Sequence, residues 1–443
     1  MIKVELKELI DHLKCDVINF KNILICGVDR DSRTIKPEQL YIPIEGTKFD
    51  GHSFIEDVKK KGIKVSLWNR SIKPYPNDIC LLLVDNTLQA LQEIAKYYLK
   101  KIGAKVIAIT GSNGKTSIKD MAYAVIKEKY KVSKTIANYN NDIGLPLSIL
   151  NANLDDEYIV LEMGMDNLGD IDRLTKIAKP YIAIISNIGS AHLEFLKTRE
   201  NIAKAKLEII NNMDKDGYFI KNGMEPLLNI DLKNTYNFGN SSFFDIFPKN
   251  IKLDINGLYF DTNLIEGIRI NTFGIAQVEN ALPVILMSKI LQIEDELILK
   301  ALENVEFTGK RNLIYPYKSN YIFDDSYKSN PEGLYKALET MRYFNRRRVA
   351  VLADMKELGD NEIEYHKAVG EKLYEYNIDK VYLYGELSKY TYEVAKQMGI
   401  DVEFFDDKHL ILEKLKKEED SIILFKASNS MKIFEIIEEF KNE

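Results

Sequence analysis

Apolar positions in this chain come in short runs separated by amphipathic stretches, and the pattern changes character twice. Over the first hundred residues the runs Ile23 to Cys26, Leu40 to Ile44, Val65 to Trp68 and Leu81 to Val84 alternate with mixed segments, ending on a helical pattern from Leu88 to about Lys101. Runs this short, bounded by polar turns, predict buried strands. From Ala104 a new pattern starts with Val106-Ile107-Ala108-Ile109, then a glycine-containing turn, then Ile118, Met121, Ala122, Val125 and Ile126 at helical spacing. Continuous apolar runs of this kind fit a parallel sheet covered on both faces. Further strand runs lie at Tyr158 to Leu161 and Tyr181 to Ile185, while residues 217–270 are turn-rich. Beyond about residue 306 the runs Tyr321 to Phe323, Val349 to Leu352, Val381 to Tyr384 and Ile422 to Phe425 alternate with helical stretches, the pattern of a doubly wound, Rossmann-like unit. No GxGxxG follows its first strand, so that architecture alone implies no dinucleotide. The expected plan is an α/β chain of three domains, 1–100, 101–306 and 307–443.

Composition supports this division. At 443 residues the chain is longer than one hydrophobic core usually serves, and 45% hydrophobic with 29% charged residues describes ordinary folded protein. The balance of 61 basic against 67 acidic residues, net −6, argues against nonspecific binding to nucleic acid or anionic membranes, so any phosphate recognition must be local. Arg346-Arg347-Arg348 is expected to be a solvated loop before a strand, and Trp68 to be either core or a neighbour of a ligand. Cys15, Cys26 and Cys80 form neither a disulfide framework nor a CxxC site, which suits a reducing, cytoplasmic compartment. The N-terminal MIKVELKELIDHL lacks the apolar run of a secretory signal, and no apolar stretch approaches the roughly 20 residues that cross a bilayer. No membrane insertion is expected.

The sharpest chemical signal is Thr110-Gly111-Ser112-Asn113-Gly114-Lys115-Thr116-Ser117, between an expected strand and an expected helix. Glycines let backbone N–H groups approach phosphate oxygens, the helix N-terminus adds a favourable dipole, Lys115 supplies charge, and the Thr116 hydroxyl can ligate Mg²⁺. The spelling is the shorter GxxGK[ST], not the full GxxxxGK[ST]. Glu162 stands at the carboxyl end of the strand run Tyr158 to Leu161, where parallel sheets expose ligand-binding residues and where a carboxylate suits Mg²⁺. His192, in Ser186-Asn187-Ile188-Gly189-Ser190-Ala191-His192, could be a second metal ligand or an ordinary hydrogen-bonded surface residue. Lys206, in the helical stretch Asn201 to Ile210, reads by composition as a solvated face residue.

These segments, with Asn138-Tyr139-Asn140-Asn141-Asp142-Ile143-Gly144-Leu145-Pro146, Glu162-Met163-Gly164, Ala191-His192-Leu193-Glu194 and Ala205-Lys206-Leu207-Glu208-Ile209, resemble in order and spacing the Mur ligases of peptidoglycan synthesis. Asp31-Ser32-Arg33, residues 45–52, Asp324-Asp325-Ser326-Tyr327, Asn330-Pro331 and residues 354–359 point to the branch that adds D-Ala-D-Ala to a UDP-linked muramoyl tripeptide. The resemblance implies a first domain holding the UDP end, a central P-loop domain using ATP and two Mg²⁺ ions, and a C-terminal Rossmann-like domain that closes over the site. It implies Gly111 to Ser117 as the nucleotide cradle with Lys115 on the ATP phosphates, Thr116 and Glu162 on a first Mg²⁺, and His192 on a second. It further implies Lys206 as a carbamate ligating that second Mg²⁺, Asn280 near the adenine, and Arg311 and Asp325 on nucleotide phosphate and ribose. Ser32, Arg33 and Thr47 would face the UDP group, with Asp31 bracing the turn, while Asn140, Asn141, Tyr327 and Asn330 would line the substrate site. The chemistry it implies is formation of an acyl phosphate and attack on it by an amine, carried out by a cytoplasmic monomer.

The chain departs from the family spelling in several places. A GxHNxxNA segment reads Gly274-Ile275-Ala276-Gln277-Val278-Glu279-Asn280-Ala281, DSYNANP reads Asp325-Ser326-Tyr327-Lys328-Ser329-Asn330-Pro331, and a late KGSR-like segment is Lys426-Ala427-Ser428-Asn429. Glutamine keeps an amide, whereas the Ala276 side chain neither donates nor accepts. The departures at Ala276, Lys328 and Asn429 leave room for an alternative, a divergent Mur-type ligase joining a different carboxylate and amine. A regulatory or motor NTPase would share only the phosphate loop and leaves the first-domain and third-domain matches unexplained. A non-catalytic scaffold would have no use for Lys115, Thr116, Glu162, His192 and Lys206 together.

Overall fold

Three α/β sheets succeed one another along the chain in the computed structural model, which describes residues 1–46, 49–230, 232–309 and 313–442. The first sheet has five strands in the spatial order Asp16–Ile18, Cys80–Val84, Val65–Asn69, Leu40–Tyr41 and Val28–Asp29. Only the Asp16–Ile18 edge is antiparallel. The helix Thr87–Ile102 leads away from it, capped by the Asn86 side chain on Gln89 N–H and ended by Gly103 at φ +72°. Trp68 resolves as core: its ring packs among buried apolar groups and its Nε1 donates to Ile72 O at 2.9 Å.

The central sheet is entirely parallel, in the order Thr235–Phe238, Tyr218–Asn222, Ile182–Ile185, Lys105–Thr110, Tyr158–Glu162 and Val132–Lys134. The chain leaves Lys105–Thr110, fills one side of the sheet, then crosses to the other at Ile182–Ile185. The order therefore reverses beside Lys105–Thr110, and the strand ends there open a crevice where ligands bind in doubly wound sheets. Alternation along that strand decides what each face touches: Ile107 and Ile109 pack into the core shared with the C-terminal sheet, Val106 and Ala108 into the core shared with the N-terminal part. A three-stranded antiparallel sheet, Pro248–Asp254, Gly257–Thr262 and Ile268–Ile270, accounts for the turn-rich stretch.

The third sheet runs Leu313–Tyr317, Asn320–Asp324, Ser421–Lys426, Arg347–Ala353, Lys380–Tyr384 and Asp401–Phe405, parallel except for its first pair. The arginine triplet is not a solvated loop. Arg347 and Arg348 begin the strand Arg347–Ala353, Arg347 Nη1 donates to Glu418 Oε2 at 2.6 Å, and Arg348 Nη1 donates to Asn377 O at 3.1 Å. Arg346 lies over the Tyr321 ring at 4.5 Å. Among the described residues no helix is long and apolar enough to cross a membrane.

A buried carboxylate joins the central helix Lys115–Lys127 to the segment that leads into the third sheet. Asp120, almost without exposure, accepts from Lys134 Nζ at 2.7 Å, Thr308 N at 2.7 Å and Thr308 Oγ1 at 3.0 Å, with Lys119 Nζ 3.6 Å away. Removing it strands the fully buried Lys119 ammonium beside a void. Asp120→Ala is expected to cost about 3 kcal/mol of stability, read as a lower thermal unfolding midpoint, with Asp120→Asn falling between it and the parent.

Candidate active site

Register places three strand ends at one level. Ile109 pairs with Glu162 and Thr110 with Ile185, so the loops after Thr110, Glu162 and Ile185 meet at the crevice. The first of them is the Gly111 to Lys115 turn. At Gly111, φ +147°, an added Cβ would lie 1.8 Å from Ser186 Oγ, and at Gly114, φ +84°, it would lie 2.2 Å from Asn280 Oδ1. Both positions therefore require glycine, for backbone conformation as well as for space. The turn is tied to the third loop: Ser112 N donates to Asn187 O at 3.0 Å, Asn113 N to Asn187 Oδ1 at 2.9 Å, and Ser186 Oγ to Asn113 O at 2.5 Å. The helix Lys115–Lys127 starts here with its N–H groups toward the crevice, and Lys115 Nζ folds back to donate to Gly111 O at 2.6 Å.

Glu162 is the last residue of its strand, not the first beyond it, and only 4% exposed. Thr116 Oγ1 donates to its Oε2 at 2.9 Å and Asn140 Nδ2 to its Oε1 at 3.0 Å, while its N–H donates to Thr135 Oγ1 at 2.8 Å. A buried carboxylate beside a hydroxyl at a phosphate-type turn is a hard-oxygen donor pair of the kind Mg²⁺ takes, since that ion keeps waters and phosphate oxygens for its other positions. Among the described residues no group of three or more His, Cys, Asp or Glu could hold a metal by itself, so any ion here must share its shell with ligand. Asn141 lines the same cleft but also closes the turn into the helix Gly144–Leu150, accepting from Gly144 N at 2.8 Å.

His192 is held in the left-handed region at φ +69°, its Nδ1 3.2 Å from Asp166 Oδ1. Burial, assisted by the fields of Lys328, Lys115 and Lys206, pushes its pKa down to about 3, so the imidazole is neutral and keeps a lone pair. Lys206 is no solvated face residue. It is 1% exposed, and burial together with the neighbouring cations Lys115 and Lys328 holds its amine far below the usual lysine range. It is not among the residues that line the cleft.

The third sheet supplies the opposite wall. Asn330 caps the helix Pro331–Met341 through Gly333 N–H and donates from Nδ2 to Asn113 Oδ1 at 2.9 Å. Glu332 accepts from Ser190 N at 3.0 Å and Ser190 Oγ at 2.9 Å. Asp325 is paired with Lys426, and Tyr327 is half-exposed into the cleft. Asn280 Nδ2 donates to Gln277 Oε1 at 2.9 Å, and Gln277 Nε2 reaches Ser117 Oγ at 3.4 Å. The cleft measures about 860 Å³. It is lined by Ser112 to Ser117, Asn140, Asn141, Glu162, His192, Asn280, Asp325, Tyr327 and Asn330. Ser32 and Arg33 are not part of it; they sit in a turn of the first sheet, where Asp31 does brace the chain by accepting from Arg33 N at 2.8 Å and pairing with its exposed guanidinium. Thr47 and Arg311 lie outside the described residues. Sequence reasoning missed Asp166, Ser190 and Glu332. Glu332 stood in an Asn-Pro-Glu helix start that could have marked it as an N-terminal acid, but no spacing rule pairs it with Ser190 across 142 residues.

Family comparison covers the same three sheets. Residues 24–99 match the Mur ligase family catalytic domain, residues 109–288 the Mur ligase middle domain, and residues 313–429 the Mur ligase glutamate ligase domain. UDP-N-acetylmuramoyl-tripeptide–D-alanyl-D-alanine ligase of Bacillus subtilis (strain 168) is 39% identical over 99% of this chain and 98% of its own length. The chain belongs to the Mur ligase family. Among solved Mur ligase structures, MurF from Acinetobacter baumannii superposes with a TM-score of 0.92 at 25% identity, covering all of both chains. MurF ligase from Thermotoga maritima, solved in complex with ADP, superposes with a TM-score of 0.85 at 29% identity over 94% of this chain and 97% of its own.

The depressed His192 pKa has a thermodynamic consequence that needs no ligand. Above pH 6.5, its ordinary value, folded and unfolded chains both hold neutral imidazole; between about 6.5 and about 3 the unfolded chain binds a proton that the folded one refuses. Stability therefore falls as pH falls through that window. In His192→Gln this contribution is gone, and the melting temperature should decline less steeply from neutral pH to about pH 4 than in the parent.

Proposed function

We propose that this Mur ligase joins D-Ala-D-Ala to UDP-N-acetylmuramoyl-tripeptide, consuming ATP and releasing ADP and phosphate, in the synthesis of peptidoglycan precursors. The observation that carries the reading is one cleft in which a phosphate-type turn, a buried carboxylate and hydroxyl, and the 325–332 segment of the third sheet all face each other. The reading takes the enzyme as a monomer, and three unbridged cysteines suit a reducing, cytoplasmic location.

In this reading the N–H groups of Gly111 to Ser117 and the Lys115 ammonium hold the ATP phosphates, Asn280 approaches the adenine, and Asp325 and Arg311 engage ribose and phosphate. Thr116 and Glu162 would hold one Mg²⁺, and His192 with a carbamate on Lys206 a second. Bound there, the ions would neutralise phosphate charge and draw the substrate carboxylate toward it. Ser32, Arg33 and Thr47 would face the UDP group, and Asn140, Asn141, Tyr327 and Asn330 the peptide and the incoming dipeptide.

A carboxylate is a poor acylating agent until its oxygen becomes a leaving group. Its attack on the γ-phosphorus forms the O–P bond and expels ADP; the dipeptide amine then attacks the acyl carbon, losing a proton, and inorganic phosphate departs as the amide forms. Lys115 steadies the charge on the transferring group, and the wall built by Asn330 and Glu332 keeps water from the acyl phosphate. Lys206 suits carbamate formation because burial and neighbouring cations disfavour its ammonium form: the lone pair of the neutral nitrogen adds to CO₂, one proton leaves, and a buried amine becomes an anion among cations.

Phosphate release from ATP should require both UDP-N-acetylmuramoyl-tripeptide and D-Ala-D-Ala, with a product heavier by the dipeptide on mass spectrometry; release without a ligated product would overturn the reading. Lys115→Ala is expected to abolish ligation while leaving the chain folded. Lys206→Ala should lose activity that bicarbonate does not restore and that a short added carboxylate partly does, whereas parental rates would remove Lys206 from the site.

A further inference from the structure

Of the cations lining the cleft, Lys115 folds back onto the phosphate turn and three others pair with acids. Arg173 pairs with Asp170, Lys336 Nζ lies 2.8 Å from Glu279 Oε1, and Lys426 pairs with Asp325. Lys328 lines the same space, and among the described residues its ammonium has neither an ion pair nor a hydrogen bond. Its backbone, by contrast, is pinned. Lys426 Nζ donates to Lys328 O at 2.9 Å, Asp325 N donates to Phe425 O at 3.1 Å, and two residues on Asn330 is bonded to Asn113 of the phosphate turn. The main chain is thus fixed across the cleft from the central domain, while the exposed side chain keeps its reach.

Lys328 faces the reacting end of the cleft. It lines the cleft together with His192 and Asp166, close enough for its charge to act on both and on the buried Lys206. The phosphate end already has Lys115 and the turn's N–H groups; the end near His192 must take a second anion close to the first, against a repulsion that grows as water is excluded.

We propose that Lys328 is a substrate-contacting residue whose partner is the peptide carboxylate that the reaction activates. The contact persists as that group becomes the acyl phosphate, and it forms only when the third sheet sits against the central domain. The proposal rests on the ligase reading, which parental turnover tests by itself. In a parent that turns over, Lys328→Gln should raise KM for UDP-N-acetylmuramoyl-tripeptide about tenfold or more, the ordinary consequence of losing a charge-assisted contact. KM for ATP and for D-Ala-D-Ala should stay within about twofold of the parent, since neither contact is touched. ADP affinity by calorimetry should be unchanged, which also shows the variant folded, and Lys328→Arg should recover most of the loss. A rise confined to ATP would give the lysine to the γ-phosphate, a rise confined to D-Ala-D-Ala would give it to the dipeptide carboxylate, and no change would leave it a solvated side chain; each of these overturns the proposal.

Discussion

An amine sealed from water in the company of other ammonium groups sets the terms for the whole cleft. Lys206 loses hydration on burial, and the charges that act on it, those of Lys115 and Lys328, raise the cost of protonation further. His192 is held neutral by the same forces. The charges that act on these two buried groups are therefore cationic, Lys115 and Lys328 among them. Such a site is incomplete without anions, and a nucleotide triphosphate and a carboxylate are anions of matching kind. A carbamate on Lys206 would add one more from the protein's own side, turning the least comfortable group in the site into its counter-charge.

The fold delivers these groups by topology more than by local sequence. Reversal of strand order beside Lys105–Thr110 brings three loops to one level, and the hydrogen bonds between the phosphate turn and Ser186, Asn187 and Gly189 tie the first and third loops together. The third sheet then docks on these loops at Asn113 and Ser190, through Asn330 and Glu332. Because these contacts lie at the rim of the cleft, the same hydrogen bonds that seat the domain also close the site. Asp120 does the corresponding work at the other end of the helix's first turns, holding Thr308 where the chain passes between domains.

Much of this was legible in the sequence where the cause is local. The four-residue apolar runs became strands within a residue or two, and the turn Gly111 to Lys115 declared itself because steric room at Gly111 and Gly114 admits no other residue. Groups whose role depends on distant packing were harder to read. Lys206 sits in Arg199–Leu207, a helix rich in charge, yet it falls on the same face as Ile202 and Ala203 while Lys204 points to solvent. A lysine on the apolar stripe was the available signal, outweighed by composition. Arg347 and Arg348 misled for the opposite reason: as a charged triplet they read as loop, but Glu418 and the carbonyl of Asn377 partner them in the strand. The Asp120 and Ser190 contacts, made across more than a hundred residues, leave no local trace.

The two departures at the nucleotide end resolve differently. Gln277 has the longer amide, and the extra methylene lets it span from Asn280 Nδ2 to Ser117 Oγ, tying the helix Ala276–Ile290 to the phosphate-turn helix. That use satisfies the Asn280 amide from one side and leaves its Oδ1 against Gly114, so the asparagine is oriented by a neighbour and not by the ligand. Ala276 meanwhile presents only a methyl group to the cleft, an apolar surface that a base can pack on but that reads none of its polar edges. In the proposed reading, then, the base end of the cleft offers few hydrogen-bonding groups, while Lys328 supplies charge to the substrate carboxylate.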